Sequence, residues 1–508
     1  MTTPPLAVAR VLDRALDRRP DAEAVVGRSG VLSYLELDQA ADAIAAGLWD
    51  LGVRRGDRVA ASLPNDLDVI VAFHAVMRLG GIWVGVPTAL AVPERQHILR
   101  DCQPRLYLHE PRDLAATAAA AASDAQGTAI GAESLLWRQW LGAGGRPPSI
   151  DIYPHAAAGI AYTSGTTGLP KGLVHSQHNL LLPGAVLTAT RQYGPDLRKG
   201  DCLPLTILNL LVLTTLLTAQ AGGCCVVMDR RDTIGIVEWV NAQQITLWNG
   251  VPTQLRDLVR RADIESTDLR PLSEVWCGGA DLPETLRTEF YAKFGLPIRA
   301  TYGLTEAPAV VAIDPPGRRQ RAGSSGQVLP HLHVATRGGE LTLAAAQNGP
   351  WAHRYTPPLG HWQADGPIPV ATPLHTGDLG SVDADGWIQI TGRSKQMIVR
   401  GGANVYPIEV EHVIKSVVGV AEAVVFGTPD DRLGERVTAI VEFDPETPTT
   451  PAAQHLRNHC ATRLAGYKVP DTWYSIESLP RNAMGKVIRT GLASLSTSAT
   501  RLECHAHD

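Results

Sequence analysis

A segment rich in glycine and hydroxyl side chains has the residue types that bind phosphate. It reads TSGTTGLPK from Thr163 to Lys171 and follows an apolar run, 156–162, that predicts a buried strand. Glycines let successive backbone N–H groups point into one anion site, and the lysine adds a full positive charge. The segment is not a Walker loop, because Pro170 precedes the lysine where that motif requires glycine. We therefore predict a phosphate-binding loop at a strand end, with a plain polar turn as the alternative.

Two shorter segments could complete a nucleotide site. The first, from Ala300 to Glu306, contains a tyrosine that can stack on a purine, a threonine that can bond to phosphate and a carboxylate that can bind Mg²⁺. The second is the turn Thr376-Gly377-Asp378, whose carboxylate could accept hydrogen bonds from ribose hydroxyls. Taken alone, either segment could be an ordinary turn.

Two further segments lie toward the end of the sequence and carry lysines. They are Gly392-Arg393-Ser394-Lys395, where the character of the sequence changes, and the segment from Pro480 to Lys486. A single lysine in the latter position is ordinarily a solvated surface residue, so Lys486 on its own predicts no chemistry.

Together and in this order, the five segments resemble the adenylate-forming superfamily, and most resemble its acyl-CoA ligases. That superfamily also includes aryl-CoA ligases, luciferases and the adenylation domains of peptide synthetases. The resemblance covers nearly the whole chain. It implies an α/β fold with a large N-terminal domain of layered, mostly parallel sheets and helices with a β-rich subdomain, followed by a small mobile α+β lid domain. The implied boundaries are 1–392 for the AMP-binding domain, 393–395 for the hinge and 396–508 for the lid.

The resemblance also implies roles for individual residues in binding ATP, Mg²⁺ and coenzyme A. The implied nucleotide-binding residues are Thr163, Ser164, Gly165, Thr166, Thr167, Gly168, Lys171, Gly278, Gly279, Ala280, Tyr302, Gly303, Thr305, Asp378, Arg393 and Lys486. The implied catalytic residues are Lys486, Glu306, Thr305 and Lys171, with Glu306 as the Mg²⁺ ligand. Lys395 matches the hinge, and Gly401-Gly402 matches the face of the lid that is presented when a pantetheine thiol attacks the acyl-adenylate.

The pattern of apolar residues predicts the elements that must position these groups. Helices are expected at 8–18, 38–51, 66–79, 234–243 and 283–294, and strands at 58–63, 82–86, 224–228, 245–248, 274–277 and 298–300. Strands that alternate with helices of this length favour a mostly parallel sheet covered by helices. The stretch 323–378 is rich in short β segments, and 396–464 predicts a separate α+β unit. The tail after Ser494 lacks periodicity, and we expect it to be mobile.

The uncharged stretch 202–228 is long enough to span a bilayer. Pro204, Asn209, Gln220 and the Gly222-Gly223 pair interrupt it, however. We therefore expect a buried helix followed by a buried strand and no membrane span.

Composition limits the remaining function classes. Lys plus Arg number 46 and Asp plus Glu number 51, and this balance argues against a nucleic-acid-binding surface. Seven cysteines without a CxxC pair, together with an N-terminus that does not resemble a secretory signal, favour free thiols and a cytoplasmic location. The oligomeric state stays open between monomer and homodimer.

The segment after Pro204 narrows the class of carboxylic acid that we expect as the substrate. Amino-acid adenylation domains usually carry an aspartate there, and no acid occurs in 202–228. Many acyl- and aryl-CoA ligases carry an aromatic residue and a histidine where this chain has Thr206-Ile207. The expected acyl-pocket positions are Ile207, Asn209, Trp248, Asn249 and Ala309. We therefore expect an apolar, possibly cyclic or bulky, monocarboxylic acid, although these residues could equally be core residues.

Three functions remain open, and they differ in how the activated acyl group is transferred to an acceptor. The first is a complete acyl-CoA ligase, and the second is an enzyme that loads the acyl group onto a carrier protein. No carrier segment follows Lys486, so any carrier is expected to be a separate chain. A half-reaction relative is the third, and it is disfavoured because Lys171, Glu306, Asp378, Arg393 and Lys486 are all present.

Overall fold

Two large sheets and the helices around them form the first part of the chain in this computed structural model. The structure describes residues 7–122, 127–129, 134–163, 170–279, 282–317, 320–401, 403–445, 451–482 and 485–502. Strands and helices are numbered along the chain within these residues. In spatial order the nine-stranded sheet consists of β15 (Gln327–Val328), β14 (Ala307–Ile313), β13 (Ile298–Leu304), β12 (Glu274–Gly278), β11 (Leu247–Gly250), β9 (Arg198–Asp201), β10 (Cys224–Val227), β1 (Glu23–Gly27) and β2 (Gly30–Ser33).

The second large sheet has seven strands, and a third, smaller sheet follows it in the chain. In spatial order the seven strands are β18 (Gly360–His361), β8 (Lys171–Ser176), β7 (Ala157–Thr163), β4 (Ile82–Gly85), β3 (Arg58–Ser62), β5 (Leu106–His109) and β6 (Gly127–Ala129). The third sheet contains β16 (Leu332–Arg337), β17 (Glu340–Ala345), β19 (Leu374–Val382) and β20 (Ile388–Arg393). Pairing is parallel from β13 through β1 in the first sheet and from β7 through β6 in the second, so the predicted mostly parallel architecture is confirmed.

Helices cover these sheets and fill the space between them. The helices before residue 395 are α1 (Asp13–Arg18), α2 (Tyr34–Asp50), α3 (Leu67–Arg78), α4 (Val92–Cys102), α5 (Leu114–Ala122), α6 (Leu135–Ala143), α7 (Gln177–Arg191), α8 (Leu208–Leu211), α9 (Leu217–Ala221), α10 (Thr233–Ala242), α11 (Pro252–Arg260) and α12 (Glu284–Phe294). The largest core cluster combines residues of both large sheets with residues of α2, α3, α7 and α9. A second cluster packs on the other face of the nine-stranded sheet, against α10, α11 and α12.

The last part of the chain forms its own sheet around its own core. Its strands are β21 (Ile398–Arg400), β22 (Ala403–Val405), β23 (Val420–Asp430), β24 (Gly434–Phe443), β25 (Thr472–Ile476) and β26 (Thr500–Leu502), and its helices are α13 (Pro407–Lys415), α14 (Ala453–Ala461) and α15 (Leu492–Ser498). A separate apolar cluster fills the space between this sheet and α13 and α14. The predicted small α+β unit is therefore present, while the division at 393–395 stays a prediction.

Three predictions from local pattern need correction. Residues 8–18 form two elements, a 3₁₀ turn at Val8–Arg10 and then α1, rather than one helix. Helix α2 begins four residues earlier than expected, because Ser33 and Glu36 form a capping box at its start. The prediction of a mobile tail after Ser494 was wrong for residues 495–502, since α15 continues to Ser498 and β26 pairs with β25, while residues 503–508 lie outside the described residues.

The uncharged stretch 202–228 lies inside the protein. It forms α8, a π-helical turn at Val212–Leu216, α9 and then the buried strand β10. This confirms the prediction of a buried helix followed by a strand. Within the described part of the chain, no helix has the length and apolar character needed to cross a membrane.

Candidate active site

The β13–β14 hairpin places Thr305 and Glu306 at its tip. Leu304 pairs with Ala307, so those two residues form the turn between the strands. The hairpin closes tightly below its tip, because a Cβ added to Gly303 would lie 1.7 Å from the carbonyl oxygen of Ala309. Ala309 itself has φ of +72°, a left-handed conformation that accompanies the break in strand register. Glycine at 303 is thus required for the geometry that presents Thr305 and Glu306.

Tyr302, Asp378 and Arg393 come together beside this hairpin. The Tyr302 hydroxyl donates to Asp378 Oδ2 at 2.7 Å, and Arg393 Nε lies 2.8 Å from Asp378 Oδ1. The two strands β19 and β20 set this geometry, since Asp378 and Arg393 are direct partners in the sheet. Burial and the neighbouring Asp378 carboxylate both raise the pKa of Tyr302, so its hydroxyl stays protonated as a donor.

The Gly278-Gly279 pair lies next to Tyr302, at the carboxyl end of β12. Gly278 pairs with Thr301, and a Cβ on Gly278 would lie 2.1 Å from Thr301 Oγ1. Gly279 has φ of +78°, which disfavours other residues. The backbone therefore turns sharply beside Tyr302, as expected of a shelf for a flat ring. The third predicted shelf residue, Ala280, lies outside the described residues.

The ends of the predicted phosphate-binding loop are held together by strand pairing. Thr163 at the end of β7 pairs with Lys171 at the start of β8. His97 Nε2 lies 2.8 Å from the carbonyl oxygen of Pro170, and Lys171 is exposed. The loop residues Ser164, Gly165, Thr166, Thr167 and Gly168 lie outside the described residues.

Lys486 reaches the same region from the C-terminal sheet. It follows a tight turn in which Asn482 N donates to Lys486 O at 2.9 Å and Lys486 N donates to Asn482 Oδ1 at 3.0 Å. Desolvation by the surrounding protein and the positive charge of Arg393 lower the pKa of Lys486, while Asp378 opposes them. The side chain nevertheless keeps contact with solvent. Lys486 therefore lies within electrostatic range of the Asp378–Arg393 pair.

Helix α11 supports this arrangement from the large sheet. Arg256 donates to the carbonyl oxygen of Ala421, and Arg260 forms an ion pair with Asp444. A Cβ on Gly485 would lie 3.4 Å from Thr253 Oγ1, so the turn before Lys486 passes close to the start of the helix.

The residues predicted for the hinge and for the second step lie on neighbouring elements. Lys395 is the middle residue of a 3₁₀ turn, Ser394–Gln396, which connects β20 to β21, and its side chain lies outside the described atoms. Gly401 has φ of +57° at the turn between β21 and β22, and its N–H donates to Leu433 O at 2.7 Å. Gly402 lies outside the described residues.

The structure does not bring all the predicted acyl-pocket residues together. Trp248 and Asn249 are consecutive in β11 and point to opposite faces of the sheet. Trp248 is fully buried in the cluster beneath α10, α11 and α12, whereas Asn249 faces the side of Asp201. Ile207 is partly buried at the start of α8, and Asn209 lies in its first turn. Ala309 is buried just below the tip of the β13–β14 hairpin.

One hydroxyl oxygen and one amide oxygen of this segment have no hydrogen-bond partner in the described part of the chain. Thr206 is 2% exposed. Among the described residues, no group hydrogen-bonds to Thr206 Oγ1 or to Asn209 Oδ1. Buried polar atoms without a partner are rare in proteins and call for an explanation. Oxygens in this position are suited to contact a polar group of a bound ligand.

A buried ion pair next to this segment was missed by sequence reasoning. Lys199 and Asp201 lie in β9, both are 0% exposed, and Lys199 Nζ lies 3.3 Å from Asp201 Oδ2. Asp201 also accepts from Leu203 N at 3.0 Å and from Asn249 Nδ2 at 3.4 Å. Burial raises the pKa of Asp201, and Lys199 opposes that effect. The available signal was the sequence RKGD in a central strand, one residue before the stretch examined for acids.

Glu306 has the chemistry of a Mg²⁺ ligand. It is partly buried at the hairpin tip, and its charge contributes to the raised pKa of the buried Tyr355. The described residues contain no cluster of three or more His, Cys, Asp or Glu side chains. Mg²⁺ bound to nucleotides needs no such cluster, because one or two carboxylates, water and phosphate oxygens complete its coordination. Glu306 therefore fits a nucleotide-bound ion.

Comparison with known proteins identifies the same two regions. A family model described as AMP-binding enzyme matches residues 12–342, and one described as AMP-binding enzyme C-terminal domain matches residues 409–486. The chain is 32% identical over 481 residues to the long-chain-fatty-acid–CoA ligase FadD13 of Mycobacterium tuberculosis, with 91% of this chain and 92% of that one covered. It is 31% identical over 509 residues to the indoleacetate–CoA ligase of Aromatoleum aromaticum, with 97% and 98% covered.

Two further similarities bear on the acceptor and on the fold. The chain is 30% identical over 499 residues to the fatty acid–[acyl-carrier-protein] ligase ScoC of Streptomyces coeruleorubidus, with 93% of each chain covered. The structure superposes on that of ATP-bound MatB from Rhodopseudomonas palustris with a TM-score of 0.83 and 28% identity, covering 97% of this chain and 99% of that one.

Proposed function

Because this chain belongs to the AMP-binding enzyme family and is an AMP-forming acid–thiol ligase, we propose that it activates an apolar carboxylic acid with ATP and transfers the acyl group to coenzyme A. The observation that supports this most is the approach of Lys486 to the Asp378–Arg393 pair, which joins the C-terminal sheet to the nucleotide residues. A ligase that uses both parts of the chain in one reaction needs such a meeting point.

In the first step, a carboxylate oxygen of the acid forms a bond to the α-phosphorus of ATP. The bond from that phosphorus to its bridging oxygen breaks, which releases pyrophosphate and leaves an acyl-adenylate. Both reactants are anionic, so the site must neutralise negative charge as the bond forms. Lys171 and Lys486 supply positive charge in this proposal, and Thr305 donates to the α-phosphate.

Asp378 retains the capacity to hold the ribose. Its carboxylate offers about four lone-pair positions, and Tyr302 and Arg393 occupy two of them. The remaining positions can accept from the two ribose hydroxyls. Glu306 would hold Mg²⁺, which supplies charge neutralisation at the phosphates when it is bound.

In the second step, the sulfur of coenzyme A bonds to the acyl carbon, the bond from that carbon to AMP breaks, and the thiol proton passes to water. We propose that the segment after Lys395 rotates between the steps, so that Lys486 withdraws and the turn at Gly401-Gly402 is presented. Such gating keeps water from a reactive acyl-adenylate.

The substrate is proposed from the residues around α8. The wall near Ile207 is mostly aliphatic, which suits an apolar, bulky or cyclic monocarboxylic acid. The unpartnered oxygens of Thr206 and Asn209 suit one neutral polar substituent on that acid. A second function, loading of a separate carrier protein, is favoured by the similarity to ScoC.

One assay tests the proposal and its alternative. The protein is incubated with ATP, Mg²⁺ and a panel of acids that runs from acetate through benzoate to polycyclic acids, with coenzyme A, with a phosphopantetheinylated carrier protein or with neither. Pyrophosphate, AMP and thioester are followed. We expect pyrophosphate with a bulky acid and thioester with coenzyme A. Thioester with the carrier alone would establish the second function, and best activity on acetate, malonate or an amino acid would contradict the substrate proposal.

A further inference from the structure

The turn that carries Asp378 is held by a glutamate on the neighbouring strand. Glu340 is the first residue of β17, and its Oε1 accepts from Gly377 N at 2.8 Å. Gly377 has φ of +73°, and it directly precedes Asp378. A residue in this conformation turns the chain, so the direction in which the following side chain points depends on how the Gly377 peptide is fixed.

The second oxygen of Glu340 is also engaged. His375 Nδ1 lies 3.0 Å from Glu340 Oε2. Burial acts to raise the pKa of Glu340, but the hydrogen bonds from His375 and Gly377 outweigh it and leave that pKa below its ordinary value. Glu340 is therefore a charged acceptor at neutral pH, which strengthens its bond to the Gly377 N–H.

The other side of Gly377 is held from the segment that leads to the hinge. Ser394 Oγ donates to Gly377 O at 3.2 Å, and the adjacent Arg393 contacts Asp378. Gly377 is thus bound at its N–H by Glu340 and at its carbonyl by Ser394. Of these two contacts, the one from Glu340 comes from strand β17, whereas Ser394 belongs to the 3₁₀ turn that contains Lys395.

We propose that Glu340 is a positioning residue for nucleotide binding, which orients Asp378 toward the ribose by fixing the Gly377 peptide. This inference rests on the proposed function, since it assumes that Asp378 holds the ribose. Glu340 itself touches neither ATP nor the acid. Its removal should therefore weaken ATP binding and leave the reaction of bound substrates largely intact.

The test compares Glu340→Ala and Glu340→Gln with the parent and with Glu238→Ala. Glu238 is an exposed glutamate on α10, so it controls for loss of a carboxylate elsewhere. The dissociation constant of ATP is measured by calorimetry, and KM for ATP, KM for the acid and kcat are measured with the full chain. We expect Glu340→Ala to raise the dissociation constant and KM of ATP about tenfold, as for loss of one charged hydrogen bond, with kcat and KM for the acid within twofold.

Glu340→Gln separates positioning from charge. Glutamine keeps a carbonyl acceptor for Gly377 N–H, so we expect ATP binding within threefold of the parent. The proposal would be overturned if Glu340→Gln and Glu340→Ala weakened ATP binding equally. It would also be overturned if the dissociation constant of ATP were the same in Glu340→Ala as in the parent. A parallel fall of kcat and thermal stability would indicate a general structural role and would also overturn it. If the parent protein binds ATP but forms no adenylate, the proposed function fails, while the ATP-binding data still decide the role of Glu340. If the parent protein binds no ATP, both the proposed function and the role of Glu340 are overturned.

Discussion

The nucleotide side and the acyl side of the candidate site satisfy their polar groups in different ways. On the nucleotide side, Tyr302 and Arg393 both donate to Asp378, and each of the three residues lies on a strand that fixes its position. On the acyl side, Thr206 and Asn209 keep buried oxygens without partners among the described residues. The nucleotide side is therefore preorganised for a ligand that never changes, whereas the acyl side carries unused hydrogen-bonding capacity.

A second difference lies in where charge is placed. The cationic groups Arg393 and Lys486 of the nucleotide side remain in contact with solvent, although Asp378 beside Arg393 is buried. The acyl side has the Lys199–Asp201 pair behind it, and this pair is fully buried. Removal of charge from water is costly unless it is paired, so removing one partner of this pair should destabilise the protein. The comparison predicts that charged side chains act in catalysis on the nucleotide side and in folding on the acyl side.

The largest expected effect comes from breaking the buried pair. Asp201→Leu leaves an uncompensated lysine in the core and should lower the free energy of unfolding by about 3–5 kcal/mol. The double variant Lys199→Met, Asp201→Leu removes both charges and should recover most of that loss. Urea unfolding followed by tryptophan fluorescence measures both. An Asp201→Leu variant as stable as the parent, or a double variant no better than the single one, would contradict a structural role for the pair.

The next effect tests charge on the nucleotide side. Lys486→Ala should slow pyrophosphate release by about 10²–10³, the range for loss of one group that stabilises transition-state charge. Thioester formation from supplied acyl-adenylate should change little, because the lysine is proposed to act in the first step alone. The two half-reactions, measured on the same preparation, control for folding. A variant that releases pyrophosphate at the parent rate would refute the assignment.

The pKa of Lys486 gives a pH dependence with a definite sign. Desolvation and Arg393 lower that pKa, so the ammonium loses its proton at a lower pH than an ordinary lysine does. Adenylation should therefore decline, as pH rises, at a pH below the ordinary lysine value. In Lys486→Arg the charge persists to higher pH, and the declining limb should move upward even if the maximal rate is lower. The pH profile of kcat/KM for ATP, followed by pyrophosphate release, reports the free protein and measures this. A declining limb at the same pH in both proteins would assign that limb to another group.

The sequence is a better guide to the residues of the nucleotide side than to those of the acyl side, and the reason is physical. Nucleotide residues occur in short motifs at strand ends, so a few residues such as Thr301 to Glu306 already indicate a turn with chemistry. The predicted parallel sheet, which the structure confirms, places the carboxyl ends of its strands at one edge. Their partners are non-local, however: Glu340 lies 37 residues from Gly377, and nothing in the local sequence links them.

The acyl side offers no such motif. Trp248 and Asn249 were both predicted as pocket residues, although consecutive residues of a strand face opposite sides of a sheet. The Lys199–Asp201 pair lies directly before the uncharged stretch 202–228 and so outside the segment from which the acid was predicted. Similarly, β26 has three residues and takes its stability from pairing with β25, so the tail showed no periodicity of its own. Features that depend on packing between distant segments are the ones that local pattern misses.

The smallest expected effect decides whether the unused oxygens serve the substrate. Thr206→Val replaces a buried, unpartnered hydroxyl by a methyl group of the same shape, so it should stabilise the free protein by about 1 kcal/mol. If Thr206 contacts a polar substituent, kcat/KM should fall about twofold to tenfold for an acid with that substituent and stay constant for its apolar analogue. Thr218→Val is the matched control, because Thr218 Oγ1 already donates to Thr214 O at 2.9 Å. The control should lose stability and leave the preference between the two acids unchanged. If Thr206→Val changes neither the preference between the two acids nor the stability, the hydroxyl of Thr206 has no role in selecting the acid. The fold would then fix the polar groups of the acyl side as it fixes those of the nucleotide side.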